Sequence, residues 1–154
     1  MSETILSIDT GTVMGWAIWH RNKIKFGEKN FPVKRWGQRF HEFDEWLCAT
    51  NSEHRLDWVT WEKGARHRGT FAAHCYGGWV AILSAFCERE QISYGGVPVQ
   101  TIKKHWCNNG HAKKSDMMLE ALGRGFKIKT DNEATRWRCS TTRLNARPTN
   151  EPPR

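Results

Sequence analysis

Apolar and polar positions along this chain follow two different periods, and the places where the period changes mark its elements. Ile5–Asp9, Met14–Trp19 and Lys23–Phe26 are short runs separated by turns containing glycine or polar residues, which predicts three strands joined as hairpins. From Arg35 to Ala49 the period lengthens. Trp36, Phe40, Phe43 and Leu47 recur at i, i+4, i+7 and i+11, the spacing of one helix face. Trp58-Val59-Thr60-Trp61-Glu62 reads as a buried strand ending in an acid. A second helix is expected over Phe71–Glu90, with Cys75, Trp79, Ile82, Leu83 and Phe86 as its apolar stripe. A strand from Ile92 to Tyr94, extendable to Val97, is closed by Pro98. Short helices follow over Val99–Trp106 and Ser115–Leu122, the second with Ser115 as its N-cap.

The resulting order, β-β-β-α-β-α-β-α, predicts an α/β domain: a mixed five-stranded sheet with helices on both faces. Residues 1–134 form that domain. Residues 135–154 carry no apolar stripe, and Pro148, Pro152 and Pro153 preclude a long helix there. This basic tail is expected to be disordered.

Bulk composition narrows the function classes. A chain of 154 residues with nine tryptophans and seven phenylalanines has material for one buried core. The longest apolar run, Trp79–Phe86, is too short to cross a bilayer, and Met1-Ser2-Glu3-Thr4 lacks the basic start of a secretory signal. The five cysteines are odd in number and form no CxxC, so a reduced, cytoplasmic setting is expected and a zinc site is not. Net charge is +8, which makes nucleic acid the first partner to consider. The charge is unevenly placed: five arginines and one glutamate after residue 134 contribute half of it.

Asp9 and Glu62 carry the chemistry. Each ends an apolar strand, and if those strands are parallel neighbours the two lie about 4.8 Å apart. Two carboxylates so placed repel each other unless one is protonated or a cation lies between them. Oxygen ligands in an open site suit Mg2+ or Mn2+, and a pair of such ions can drive phosphodiester cleavage. Taken singly, Asp9 is better explained as a turn former and Glu62 as a solvated strand end; together, their matching contexts favour the metal reading.

At these residues the sequence resembles the ribonuclease H-like superfamily, and within it Holliday-junction resolvases of the RuvC type and their phage relatives. The resemblance rests on Ser7-Ile8-Asp9-Thr10-Gly11, Gly15-Trp16-Ala17, Val59-Thr60-Trp61-Glu62 and Tyr76-Gly77-Gly78-Trp79. It continues through Gly95-Gly96-Val97-Pro98-Val99, Thr101-Ile102-Lys103, Gly110-His111-Ala112-Lys113-Lys114 and Asp131-Asn132-Glu133-Ala134. It implies a Mg2+- or Mn2+-dependent, two-ion endonuclease for branched DNA, acting as a homodimer in a bacterial or phage-infected cell. Asp9 and Glu62 would be metal ligands, with Asp131 and Glu133 as replacement ligands. Lys103, Lys104, Lys113 and Lys114 would face backbone phosphates, and Arg66 and Arg68 would lie where the scissile phosphate approaches. The plainer alternatives are a solvated helix edge for the lysines and an exposed loop for the arginines. Phe71 and Tyr76 are expected in the core, and His74 packed or at the surface.

The resemblance breaks after Ala134. Family members continue with Asp-Ala and an apolar helix whose aspartate completes the metal site; here Thr135 stands in its place. The peptide 134–145 can be encoded so that a shifted reading frame spells Asp-Ala-Val-Ala-Leu-Leu-Asp-Tyr-Ala-Leu-Glu, an amphipathic helix beginning with the missing acid. A one-base frameshift near codon 134 is therefore the expectation, against a divergent basic DNA-binding arm. Either way the final helix is missing or disrupted, and weakened metal binding, low cleavage and reduced stability are expected. The competing functions are a non-catalytic branched-DNA-binding protein and, less favoured for want of a second lobe, an actin-like or sugar-kinase-type nucleotide-binding fragment using Asp9-Thr10-Gly11-Thr12.

Overall fold

The structure, a computed structural model, describes residues 3–21, 23–32, 35–64 and 69–123. Within them lie five strands, β1 (Ile5–Asp9), β2 (Val13–His20), β3 (Lys23–Asn30), β4 (Trp58–Lys63) and β5 (Ser93–Pro98). Four helices accompany them: α1 (Trp36–His54), α2 (Thr70–Arg89), α3 (Val99–Cys107) and α4 (Lys114–Gly123). The strands form one mixed sheet in the order β3-β2-β1-β4-β5, β1 pairing antiparallel with β2 and parallel with β4. This is the α/β architecture expected.

Because strand side chains alternate faces, register assigns each residue a side. One face carries Leu6, Ile8, Met14, Ile18, Val59 and Trp61, against which Phe43 and Leu47 of α1 and Trp79, Leu83 and Phe86 of α2 pack as one core. Aromatic edges seal it: Trp79 meets Phe31, Phe40 and Phe43 at centroid distances of 5.5, 4.8 and 5.2 Å. Ile5, Ser7, Ala17, Trp58 and Thr60 lie on the opposite face, all buried. α3 packs on β5, and α4 on α3.

Several boundaries differ from expectation for physical reasons. β3 runs on to Asn30 because the β2–β3 ladder stays in register from His20↔Lys23 to Val13↔Asn30, although Gly27-Glu28-Lys29-Asn30 has no apolar alternation. α1 continues through polar residues to His54 and stops where Arg55 turns left-handed, φ 54°, its N–H bonding the carbonyl of Asn51. Ser115 is not an N-cap but lies inside α4; the cap is supplied from within, Asp116 Oδ2 accepting the Lys113 N–H at 2.8 Å. Phe71 is not core: it is 62% exposed, edge-on to Trp36, itself 46% exposed. α2 is long and apolar enough to cross a membrane by length and composition alone, because Phe71, Ala72, Ala73, Cys75 and Tyr76 precede Trp79–Phe86 and Cys87 follows it; Trp79, Leu83, Phe86 and Cys87 pack in the core. The expected tail, the disrupted last helix, Asp131 and Glu133 lie outside the described residues.

Candidate active site and nucleic-acid interface

The sheet order decides where chemistry can sit. From β1 the chain proceeds outward through β2 and β3 on one side, while β4 and β5 occupy the other. β1 and β4 are parallel neighbours, so their carboxyl ends lie at the same edge of the sheet. Asp9 is the last residue of β1. The β1–β4 register pairs Ile8 with Trp61, so its next step brings Asp9 and Glu62 side by side, about 4.8 Å apart in the backbone. Both point to the face of Ser7 and Thr60, opposite Ile8 and Trp61, and both are half-buried.

On the β2 side the neighbour of this pair is small. Asp9 faces Gly15 across β2, and the layer beneath it reads Ala17, Ser7, Thr60, Gly95 across four strands. Thr60 Oγ1 donates to the Gly95 carbonyl at 2.8 Å. Ser7 Oγ is buried with no hydrogen-bond partner, an open polar valence directly below the acids. Gly15 puts no side chain beside Asp9, whereas Val97 stands beside Glu62 on the β5 side. What the arrangement offers is two carboxylate-bearing residues at the same end of neighbouring parallel strands, of a type able to bind a hard cation or to exchange a proton.

Beside the acids lies a cavity of about 380 Å³, lined by Lys63, Gln100, Lys103 and His111 with the backbone turns at Pro98 and Gly110. Its charged lining residues are cationic, which suits a phosphate group. Lys103 lines this cavity, while Lys104 and Lys113 are exposed on α3 and just before α4. Lys114 opens α4; its side chain, like Arg66 and Arg68, lies outside the described residues. Lys63 and His111 were missed by sequence reasoning, although their signals were present: Lys63 directly follows Glu62, and His111 sits in the Gly-His-Ala-Lys-Lys run. His74 is exposed on α2. Tyr76 packs against the core, its hydroxyl accepting from Trp61 Nε1 at 3.3 Å. Among the described residues no group of three or more His, Cys, Asp or Glu side chains gathers as a metal cage.

No family model and no curated protein matches this chain. Its fold is nonetheless shared with solved structures. RuvC of Thermus thermophilus superposes with a TM-score of 0.74 at 16% identity, covering 92% of this chain and 93% of that one. The same protein in complex with a Holliday-junction substrate gives a TM-score of 0.77 at 16% identity and the same coverage. The yeast mitochondrial Holliday-junction resolvase Ydc2 gives 0.66 at 12% identity, covering 91% of this chain and 77% of that one. The chain therefore has the mixed-sheet, ribonuclease H-like fold of the RuvC structures, at identities too low to carry more than fold.

Proposed function

We propose that this chain is a structure-selective DNA endonuclease of the junction-resolving kind. The observation that carries the reading is the side-by-side placement of Asp9 and Glu62 at the parallel ends of β1 and β4, on a fold that covers nearly all of RuvC. RuvC has been solved with a Holliday junction, and the basic cavity beside the acids would suit the same kind of ligand.

The residues fit a divalent cation. Two carboxylates in one register repel until a positive charge joins them, and the unpartnered Ser7 Oγ beneath them leaves a polar position for a bound water. Asp9 and Glu62 would hold Mg2+ or Mn2+; when bound, such ions lower the pKa of water and offset charge on the leaving oxygen. The chain's own residues do the rest. Lys63, Lys103 and His111 hold the phosphodiester from the β5 side, and the small Gly15 and Ser7 layer admits it close to the sheet. Asp131 and Glu133 are proposed as further ligands. With Thr135 at the last acid position, the hydroxyl binds a hard cation poorly, so cleavage is expected to be slow and junction binding to persist. Action as a homodimer, matching the two equivalent strands of a four-way junction, belongs to the same proposal.

Purified protein incubated with four-way junctions in Mg2+ or Mn2+, beside a gel-shift in metal-free buffer, tests the reading. Cleavage lost in Asp9→Asn and Glu62→Gln supports the endonuclease. Junction binding without cleavage in either metal would instead leave a non-catalytic branched-DNA-binding protein, a reading favoured by the described residues holding no group of three or more His, Cys, Asp or Glu side chains. Absence of both would end the proposal.

A further inference from the structure

The basic cavity beside the acids is matched by a second one at the far end of the sheet. It has a volume of about 280 Å³, with Ile18 as an apolar floor and His20, Arg21, Lys23, Lys25 and His54 around it. Its members come from the β2–β3 hairpin and the last residue of α1. His20 is steadied by a 2.7 Å hydrogen bond between its Nδ1 and Thr4 Oγ1. Glu53 reaches this group, 3.9 Å from Lys25 Nζ and 3.2 Å from His54 Nε2. The Lys25 and Glu53 side chains are 69% and 67% exposed, so their attraction is weak and gives way readily to a competing anion.

The cavity is the start of a longer feature. Lys23, Lys25 and Lys29 are all exposed and lie two and four residues apart on β3, an edge strand of the sheet, with Gly27 between the last two, so they share one face. Each two-residue step is about 6.8 Å, and the row spans about 20 Å. It runs from the far cavity toward the site end, where Asn30 pairs with Val13, the residue that opens β2 just after the turn following Asp9. A small anion would need only the cavity. A line of lysines leading away from the acids is complementary to an extended polyanion, and duplex DNA presents a charge every 1.7 Å or so of its axis.

We propose that the outer strand β3, from the His20–His54 cavity to Lys29, is a second contact for the DNA backbone, along which one duplex arm lies while the junction occupies the acids. The inference rests on the DNA reading above and extends it to the opposite edge of the sheet. The competing explanation is that the lysines only guard an exposed strand edge against pairing with another chain.

The full-length protein and its K23Q/K25Q/K29Q and K23R/K25R/K29R variants should be titrated with a four-way junction and with one linear arm, by fluorescence anisotropy over a range of KCl. K103Q/K104Q serves as the comparison at the site end. The glutamine triple variant is expected to lower the salt slope of log K by about 2.7, three contacts at roughly 0.9 each, and the arginine variant to keep it. A glutamine variant that keeps the full slope overturns the proposal, whether it stays monodisperse or, as edge-guarding predicts, self-associates. If K103Q/K104Q loses slope while the β3 variant does not, DNA binding stands and this contact falls. If the unaltered protein binds no DNA, both fall.

Discussion

Arg39 Nη1 donates to Cys75 Sγ at 3.1 Å, joining α1 to α2 through a guanidinium that is fully buried. Among the described residues no carboxylate accompanies it: Nε and Nη2 have no hydrogen-bond partner, and its Cζ lies 5.7 Å from the Trp36 ring centroid and 6.0 Å from that of Trp79. Indole faces compensate a cation only in part. A thiol is also a weak acceptor.

Arg39→Met should therefore leave stability unchanged or raise it by about 1–3 kcal/mol, since a well-packed apolar side chain replaces an uncompensated buried charge. Arg39→Ala should lower it by about 2–4 kcal/mol through the cavity it leaves. Urea denaturation of the two variants separates charge from volume; a loss of more than 2 kcal/mol in Arg39→Met would mean that the guanidinium is a net stabiliser.

Two adjacent glycines in α2 should respond in opposite directions. A Cβ at Gly77 meets nothing within 4 Å, so Gly77→Ala should gain up to about 1 kcal/mol of helix propensity. A Cβ at Gly78 would lie 2.4 Å from Phe40 Cζ, and that ring is wedged against Trp79 and Trp36. Gly78→Ala should cost about 1–3 kcal/mol. Melting temperatures of the pair are the measurement, and equal shifts would contradict the tight α1–α2 contact.

Divalent cations should stabilise the folded chain through Asp9 and Glu62. With Mg2+ at a hundredfold excess over its dissociation constant, linkage adds about 2.7 kcal/mol, raising the melting point by several degrees. Glu62→Gln should abolish that rise. It should also raise the metal-free melting point slightly, because one of two neighbouring negative charges is gone. Calorimetric scans with Mg2+ and with EDTA test this without reference to cleavage.

Cys87 is fully buried, and burial, with Glu88 beside it, pushes its thiol up from 9.0 to about 12. Its protonated form is the one the fold prefers, so the contribution is complete below pH 9, where the unfolded chain also keeps the proton. It is lost as pH rises from about 9 toward 12, stability falling with pH. Iodoacetamide at pH 9 should thus spare Cys87 while modifying the half-buried Cys48, Cys75 and Cys107. Mass spectrometry of peptides would detect the difference, and early labelling of Cys87 would show that its helix face opens.

How much of this was legible beforehand depends on which force fixed each residue. β1 and β4 are nearly all apolar and end in acids, so both strands could be read from pattern alone, while their parallel pairing came only with the sheet. β3 could not be read to its end, because its last residues are held by ladder hydrogen bonds to β2 rather than by their own side chains. Arg39 lies off the Trp36, Phe40, Phe43, Leu47 stripe, and nothing in its period signals burial; its place between α1 and α2 does. Phe71 misled in the other direction, since an aromatic at a helix start is read as core until its neighbours are known. Lys63, His111 and the far cavity arise from tertiary proximity between segments distant in sequence. No local period encodes that.

β1 is flanked by a full ladder on each side and shielded on both faces. Its amide protons from Leu6 to Ile8 have no route to solvent short of global unfolding, and should be the last in the molecule to exchange with deuterium. Asp9 is thereby anchored at the tip of the slowest-breathing segment, so whatever ligand settles there meets one acid held still while its surroundings adjust.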